Sequence, residues 1–323
     1  MKIALIGAGV IGRKRGNIIK ESRADHVCVV VDIDENKAKM LGGSLGCSWS
    51  TQVKDALGKE VEAVVVSTTH NYLAAITKIA LKAGKHVLCE KPLGISVEEV
   101  AECVKIAKRK GLIYKAGYNH RFHPAIWRAK RYLDAGKIGE LMYIKASYGH
   151  GGRPGYEKEW RMDKKLSGGG ELIDQGAHLI DLSRWFSGED FDEVMGFIKT
   201  TFWPVEVEDN GFLLLRSKRV VASLHASWTE WKNRFEFELY GTLGYLKIRG
   251  LGGSYGTEIL MLGRRVPGQA PKERIWEFVG ADISWKKEWQ NFRDAIKNQG
   301  LVIGSGEDGL KVLEIVESIY KQQ

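Results

Sequence analysis

Asp174 and His178 stand four residues apart in Gly168–Leu182, GGGELIDQGAHLIDL. On a helix that spacing places a carboxylate and an imidazole on one face. Imidazole titrates near neutrality, so such a pair can move a proton between water and a bound alcohol or carbonyl. Leu172, Ile173, Ala177 and Ile180 can turn toward a core while the polar pair points elsewhere. A capped or salt-bridged structural histidine would leave the same local pattern, so the surrounding chain has to decide.

The first 32 residues supply a second chemistry. Residues 2–6 (KIALI) form an apolar run, as in a strand buried on both faces. Gly7, Gly9 and Gly12 follow in G-x-G-x-x-G spacing, then helical periodicity through Ile19, then VCVVVD ending at Asp32. In this strand–turn–helix–strand context Gly7 permits the tight turn, Gly9 lets a pyrophosphate approach, and Gly12 lets helix and strand pack. The N–H groups at the helix start, Val10 and Ile11 among them, would face the phosphates. Asp32 would accept the adenosine ribose hydroxyls and repel a 2′-phosphate, favouring NAD over NADP. Lys37 and Lys39 are the cations that could soften this choice.

Alternation then continues: strand patterns at 62–68, 86–90 and 112–117, helical patterns at 72–83 and 97–110. This implies a doubly wound parallel sheet over residues 1–120. Polar residues gather at its strand ends, at Thr68–Asn71, Glu90–Pro92 and Tyr118–Arg121, where such sheets bind ligands. Residues 121–323 read as a second, α+β domain. Its β-like runs at 194–203, 211–217, 219–229, 234–240, 243–249, 257–263 and 274–279 have short connections and imply a large, mostly antiparallel open sheet. Helical patterns at 283–299 and 307–321 close the chain.

Composition narrows the classes. At 323 residues two domains are the natural prior. Net charge is +9, but no helix-turn-helix, zinc-finger or RNA-binding signature accompanies it, so no nucleic-acid partner is expected. No apolar run approaches the roughly 20 residues of a membrane span. The four cysteines lack metal-ligand spacing, so no metal site is expected; buried free thiols point to the cytoplasm.

HVLCEKPLG at 86–94, together with GAGVIG, YNHRFHP and GGGELIDQGAHLIDL, resembles the glucose–fructose oxidoreductase / inositol dehydrogenase / MocA family across nearly the whole chain. The resemblance implies a Rossmann domain followed by an open-sheet domain, with NAD(P)-dependent redox chemistry at a sugar or polyol carbon. It implies that Lys91 touches the reacting hydroxyl and that Asp174 and His178 are the acid and the proton-transferring histidine. It places Glu90 near the nicotinamide ribose, makes the Lys91–Pro92 bond cis, and sets Asn119 and Arg121 in the substrate cleft. Relatives with a Pro after the strand-end Thr and a His four residues later differ from this chain, which has Thr69 and Leu73 there, so His70 and Asn71 are the polar groups on offer.

The loop YGHGGRPGYEKEWRMDKKLSGGG, just before the Asp174 helix, carries Arg153, Lys158, Arg161, Lys164 and Lys165 with Tyr156 and Trp160 interleaved. Guanidinium groups pair with phosphate or carboxylate, and aromatic rings stack on sugars or bases. Arg153, Tyr156 and Arg161 are therefore expected to hold a nucleotide-linked amino sugar or uronic acid. A free polyol or hexose is the alternative substrate, and a non-catalytic NAD-sensing regulator the alternative class. An open sheet with one face to cover predicts a homodimer or homotetramer.

Overall fold

The computed structural model describes all 323 residues. They divide into two compact units, Met1–Tyr118 with Trp285–Leu310, and Asn119–Ser284 with Lys311–Gln323.

The first unit is built on six parallel strands, β1 (Lys2–Ile6), β2 (His26–Val31), β3 (Ser48–Ser50), β4 (Ala63–Val66), β5 (His86–Cys89) and β6 (Tyr114–Ala116). Their order is β3-β2-β1-β4-β5-β6. Helices α1 (Val10–Glu21), α2 (Glu35–Leu45), α3 (His70–Lys82) and α4 (Val97–Lys110) connect them. The uniformly buried run Ala63–Val66 fits a strand with both faces covered. The order reverses between β1 and β4, which opens a crevice at their carboxyl ends, where Gly7 and Ser67 lie. β3 and α2 fall in a stretch where periodicity reveals no element.

The second unit carries α5 (Pro124–Asp134), the single turn α6 (Lys164–Ser167), α7 (Ala177–Ser187) and eight strands. These are β7 (Leu141–Gly149), β8 (Glu193–Lys199), β9 (Asn210–Arg216), β10 (Val221–Ser227), β11 (Arg234–Gly241), β12 (Gly244–Arg249), β13 (Glu258–Arg264) and β14 (Lys272–Phe278). The sheet runs β14-β13-β12-β11-β7-β10-β9-β8 and is antiparallel except where β10 lies parallel to β7. α7 packs on β7 and β10. Alternating burial along β11 gives the sheet one covered and one open face.

The chain then returns through α8 (Ser284–Ile296) and α9 (Gly306–Tyr320). Trp289 and Phe292 of α8 share an apolar cluster with Ile3, Leu5, Ile19 and Val30. The Trp289 indole donates to Asp25 at 3.0 Å. A single cut at residue 120, with 121–323 as one domain, therefore misses Trp285–Leu310, whose apolar residues complete the first core.

The strand pattern read over 194–203 stops at Lys199, because the next residues fold round Asp209. Its carboxylate accepts from the Thr201 N–H (2.8 Å) and hydroxyl (2.9 Å), and from the N–H groups of Phe202 (2.7 Å) and Trp203 (3.1 Å). Burial works against the charge, but these donors and the Asn210 amide outweigh it and hold the carboxyl below the usual Asp range. A depressed folded value means stability present above the unfolded Asp value and lost as pH falls through the folded one. Asp209→Asn should therefore lose about 1–2 kcal/mol at pH 7 in denaturant titrations, with the deficit shrinking below pH of about 4. A deficit that does not depend on pH would contradict this assignment.

Candidate active site

In the first unit the glycine turn is shaped by two close approaches. Gly7 has φ +100°, and a Cβ on Gly12 would sit 1.8 Å from the Gly7 carbonyl oxygen. Gly9 differs: a Cβ there would meet nothing within 4 Å, so this glycine leaves space open. No side chain caps α1, and its first turn carries no acid, so the N–H groups of Val10, Ile11 and Gly12 make an end at which an anion would be favoured. At the end of β2, the Asp32 carboxylate accepts from the Ala8 N–H at 2.6 Å and the Asp34 N–H at 2.9 Å. Lys37 answers to Asp34 at 3.1 Å, which gives it a carboxylate of its own. Val10 and Ile33 stand 86% and 92% exposed beside these groups, an apolar pair suited to a flat base. The open space at Gly9, the uncapped helix and the carboxylate fit a dinucleotide. Ile33 is a residue the motif did not reveal.

At the ends of β4 and β5 lie the remaining expected contacts of this unit. Thr68 and Asn71 are half-buried, and Asn71 Oδ1 accepts from the Thr69 hydroxyl at 2.8 Å. Glu90 to Leu93 form a tight turn closed by the Leu93 N–H on the Glu90 carbonyl (3.1 Å), with a cis Lys91–Pro92 bond and Leu93 at φ +77°. Lys91 is half-buried on this turn. Glu90 is engaged by the buried Arg15, whose Nε donates at 2.7 Å, while Arg15 Nη1 reaches Glu288 at 2.5 Å. Burial opposes the Arg15 charge, but Glu288 and Glu90 outweigh it and push its pKa up. Burial likewise raises Glu90, with Arg15 pulling the other way.

In the second unit the stretch that opens on three glycines enters its helix through a constriction. A Cβ on Gly170 would lie 1.9 Å from the Glu208 carbonyl oxygen. The Glu171 N–H donates to that oxygen at 2.9 Å, and the Glu208 carboxylate accepts from the Leu172 N–H (3.2 Å) and the Tyr320 hydroxyl (2.8 Å). Leu172–Gly176 is one π-helical turn that passes directly into α7. Its wider i→i+5 winding is a form that recurs at functional sites. Asp174 accepts from Arg161 Nε at 3.2 Å. Burial opposes the Arg161 charge, and Asp174 outweighs it to raise its pKa. His178, 5% exposed, stacks on His120 with centroids 3.7 Å apart and planes 16° from parallel.

The other expected substrate residues divide. Asn119 is buried, with its amide donating to the Ser284 hydroxyl at 3.0 Å. Arg121 makes a fork–fork pair with Asp181, Nε at 2.9 Å and Nη2 at 2.6 Å, with both side chains buried. It therefore clamps the 119–122 turn to α7 one turn beyond His178, in place of the cleft-lining task expected of it. Tyr156 is a core residue, 2% exposed and packed edge-on against Trp203 and Trp228. Arg153 is exposed and pairs with Glu159 at 2.5 Å. Sequence reasoning missed His120 and Tyr148, whose rings pack on His178, the Gln175–Tyr255 pair beside Tyr148, and His150, whose pKa burial lowers. The YNHRFHP motif contained His120, but spacing alone could not stack it on a residue 58 positions away. No group of three or more His, Cys, Asp or Glu is placed to hold a metal ion.

Residues 1–118 match the model of the oxidoreductase family with an NAD-binding Rossmann fold, and residues 126–247 match the GFO/IDH/MocA C-terminal domain. The chain belongs to the Gfo/Idh/MocA family of oxidoreductases. Among its relatives is 1,5-anhydro-D-fructose reductase of Ensifer adhaerens, 30% identical over 265 residues, 80% of this chain and 77% of that one. Levoglucosan dehydrogenase of Pseudarthrobacter phenanthrenivorans is 28% identical over 226 residues, 61% of this chain but only 56% of the relative. Inositol 2-dehydrogenase of Rhizobium meliloti, 26% identical, is likewise covered over 56% of its length. A solved levoglucosan dehydrogenase, in complex with NADH and levoglucosan, has the same fold, with a TM-score of 0.90 at 23% identity over 100% of this chain and 98% of that one.

The two glycines separate packing from ligand space. Gly9→Ala should melt like the wild type yet bind NAD about tenfold or more weakly, a cost of about 1.4 kcal/mol. Gly12→Ala should lose about 1–3 kcal/mol of stability through overpacking. Calorimetric NAD titrations and thermal melts check both, and unchanged affinity in Gly9→Ala would contradict the cradle.

Proposed function

We propose that this protein is an NAD-dependent dehydrogenase of a ring or chain hydroxyl on a free sugar or polyol. The observation that carries the reading is His178, buried on a helix whose preceding turn holds Asp174 against Arg161, in a chain whose other unit is a dinucleotide cradle. Gly7, Gly9, Val10, Ile11 and Gly12 would hold the pyrophosphate and Asp32 the adenosine ribose, with Thr68, Asn71 and Glu90 toward the nicotinamide. When bound, the nicotinamide accepts the hydride that leaves the carbinol carbon. His178 takes the hydroxyl proton as the C–H bond breaks, so the alcohol becomes a carbonyl. Lys91 supplies positive charge to the developing alkoxide. Asp174 orients the hydroxyl, and its charge is steadied by Arg161.

The substrate follows from how the loop cations are used. Arg161 answers to Asp174 and Arg153 to Glu159, which supports an uncharged ligand over an anionic one. Tyr156 is committed to the core. Levoglucosan, inositol and 1,5-anhydro-D-fructose, in the relatives' names, are free sugars and polyols. A nucleotide-linked amino sugar or uronic acid is the second reading, favoured by the exposed Lys158, Lys164 and Lys165. NADH formation should appear with free polyols or hexoses, and NAD should be preferred to NADP by at least tenfold. Turnover of UDP-sugars alone would reverse the substrate assignment. Lys91→Ala and His178→Ala should each bind NAD yet lose on the order of 10²–10⁴ in kcat. Near-wild-type turnover in either would overturn its role.

The open sheet face carries Met195, Phe197, Phe212, Leu214 and Val221 at 67%, 77%, 48%, 54% and 43% exposure on β8, β9 and β10. In the paired register Met195 stands opposite Leu214 and Phe197 opposite Phe212, one apolar patch with Val221 diagonal to Leu214. We assign it to a second copy of the chain, giving a homodimer or homotetramer, and the four reduced cysteines accord with a cytoplasmic location. Light scattering at micromolar concentration should show an oligomer, and Met195→Glu with Phe197→Glu should lower its mass. A monomeric wild type would contradict the assignment.

A further inference from the structure

A continuous hydrogen-bonded chain runs behind His178 within the second unit, and its direction is fixed from one end. The Asp282 carboxylate can only accept, so the Ser284 hydroxyl donates to it at 2.6 Å. Ser284 Oγ must then accept from the Asn119 amide nitrogen (3.0 Å), which turns Asn119 Oδ1 toward His120 Nδ1 at 3.2 Å. An acceptor there requires His120 Nδ1 to carry the hydrogen. In the neutral ring Nε2 is then an acceptor, and the Tyr148 hydroxyl donates to it at 3.2 Å. Tyr255, whose ring meets Tyr148 edge-on at 5.0 Å, accepts from the Gln175 amide at 2.8 Å. Burial holds Tyr148 protonated far above neutrality, so its hydrogen remains available.

The charges around the stack answer to one another. On the helix of His178, Asp181 pairs with Arg121 of the 119–122 turn, and Asp174 with Arg161. His123, edge-on to His120 at 5.6 Å, is bonded to Glu258 of β13 at 2.6 Å. Glu171 is buried on the helix entrance, His150 interacts with Asp174, and Tyr148 and Tyr255 come from β7 and the turn after β12.

We propose that His120 is a positioning residue for His178: a neutral imidazole, fixed as its Nδ1–H form, that lies flat on the base and offers its π face to the imidazolium formed when the base takes a proton. The inference rests on the reading of His178 as base. A cation over a π face is stabilised, whereas a second imidazolium at 3.7 Å would repel it. The neutral tautomer at position 120 thus decides which of two adjacent histidines is charged during turnover.

Nitrogen-15 long-range spectra of histidine-labelled wild type, without substrate, test this directly. His120 should remain neutral and Nδ1-protonated through the pH at which His178 gains its proton. Protonation of His120 first, or an Nε2–H form, would overturn the proposal, and this measurement needs no variant to fold. In His120→Leu the π face is lost, so the acid limb of kcat/KM and the His178 titration should move to lower pH by roughly 0.5–1 unit. His120→Phe restores a flat ring and should hold the limb near the wild-type position. Equal limbs in the Leu and Phe variants would overturn the proposal, because a purely structural role lowers kcat or Tm without moving the limb. Failure of the base assignment has its own mark, an acid limb that survives in His178→Ala.

Discussion

Buried arginine–carboxylate pairs fix the elements that carry the chemistry in both units. Arg15 joins three segments of the first: α1, which opens on the glycine turn; the end of β5, where Glu90 precedes Lys91; and α8, more than 270 residues away in the sequence. Arg121 joins the turn bearing His120 to the helix bearing His178. Removing one partner of such a pair leaves an uncompensated buried charge, a cost of about 3–5 kcal/mol, far above that of an exposed pair. Their value lies in geometry: each guanidinium offers several donors in one plane and so sets orientation as well as distance.

Close backbone approach is the second constraint. Gly12 and Gly170 stand where a Cβ would fall within 1.9 Å of a carbonyl oxygen. One lets α1 start tight against the turn that would receive a pyrophosphate. The other lets the Glu208 backbone and side chain seize the N–H groups of Glu171 and Leu172 before the π turn begins. Asp174 and His178 therefore sit on a helix whose start is tethered, the kind of fixed placement that the proposed proton transfer would need.

Local signals in the sequence carried the strands of the parallel sheet, the glycine turn, Asp32, the antiparallel runs and the Asp174–His178 spacing, because each depends on neighbours within one or two turns of chain. Side-chain partners set by long-range packing were not legible. Arg121 looked like a ligand-binding cation until Asp181, sixty residues on, claimed it. Tyr156 resembled a stacking platform but fills the space between Trp203 and Trp228. Lys37, a possible phosphate grip, is held by Asp34. The π turn at Leu172–Gly176 and the return of α8 to the first core have no periodic signature, since both are decided by what packs on them.

The proposed reaction is direct hydride transfer from a sugar or polyol carbon to a nicotinamide held by the first unit. The most direct measurement is label transfer. The protein is incubated with NAD and a free polyol or hexose that carries deuterium on its carbinol carbons, and the reduced cofactor is weighed by mass spectrometry. NADH should be heavier by one deuterium and form more slowly than with the unlabelled substrate. NADH that forms without deuterium, or no reduction across such substrates, would contradict it.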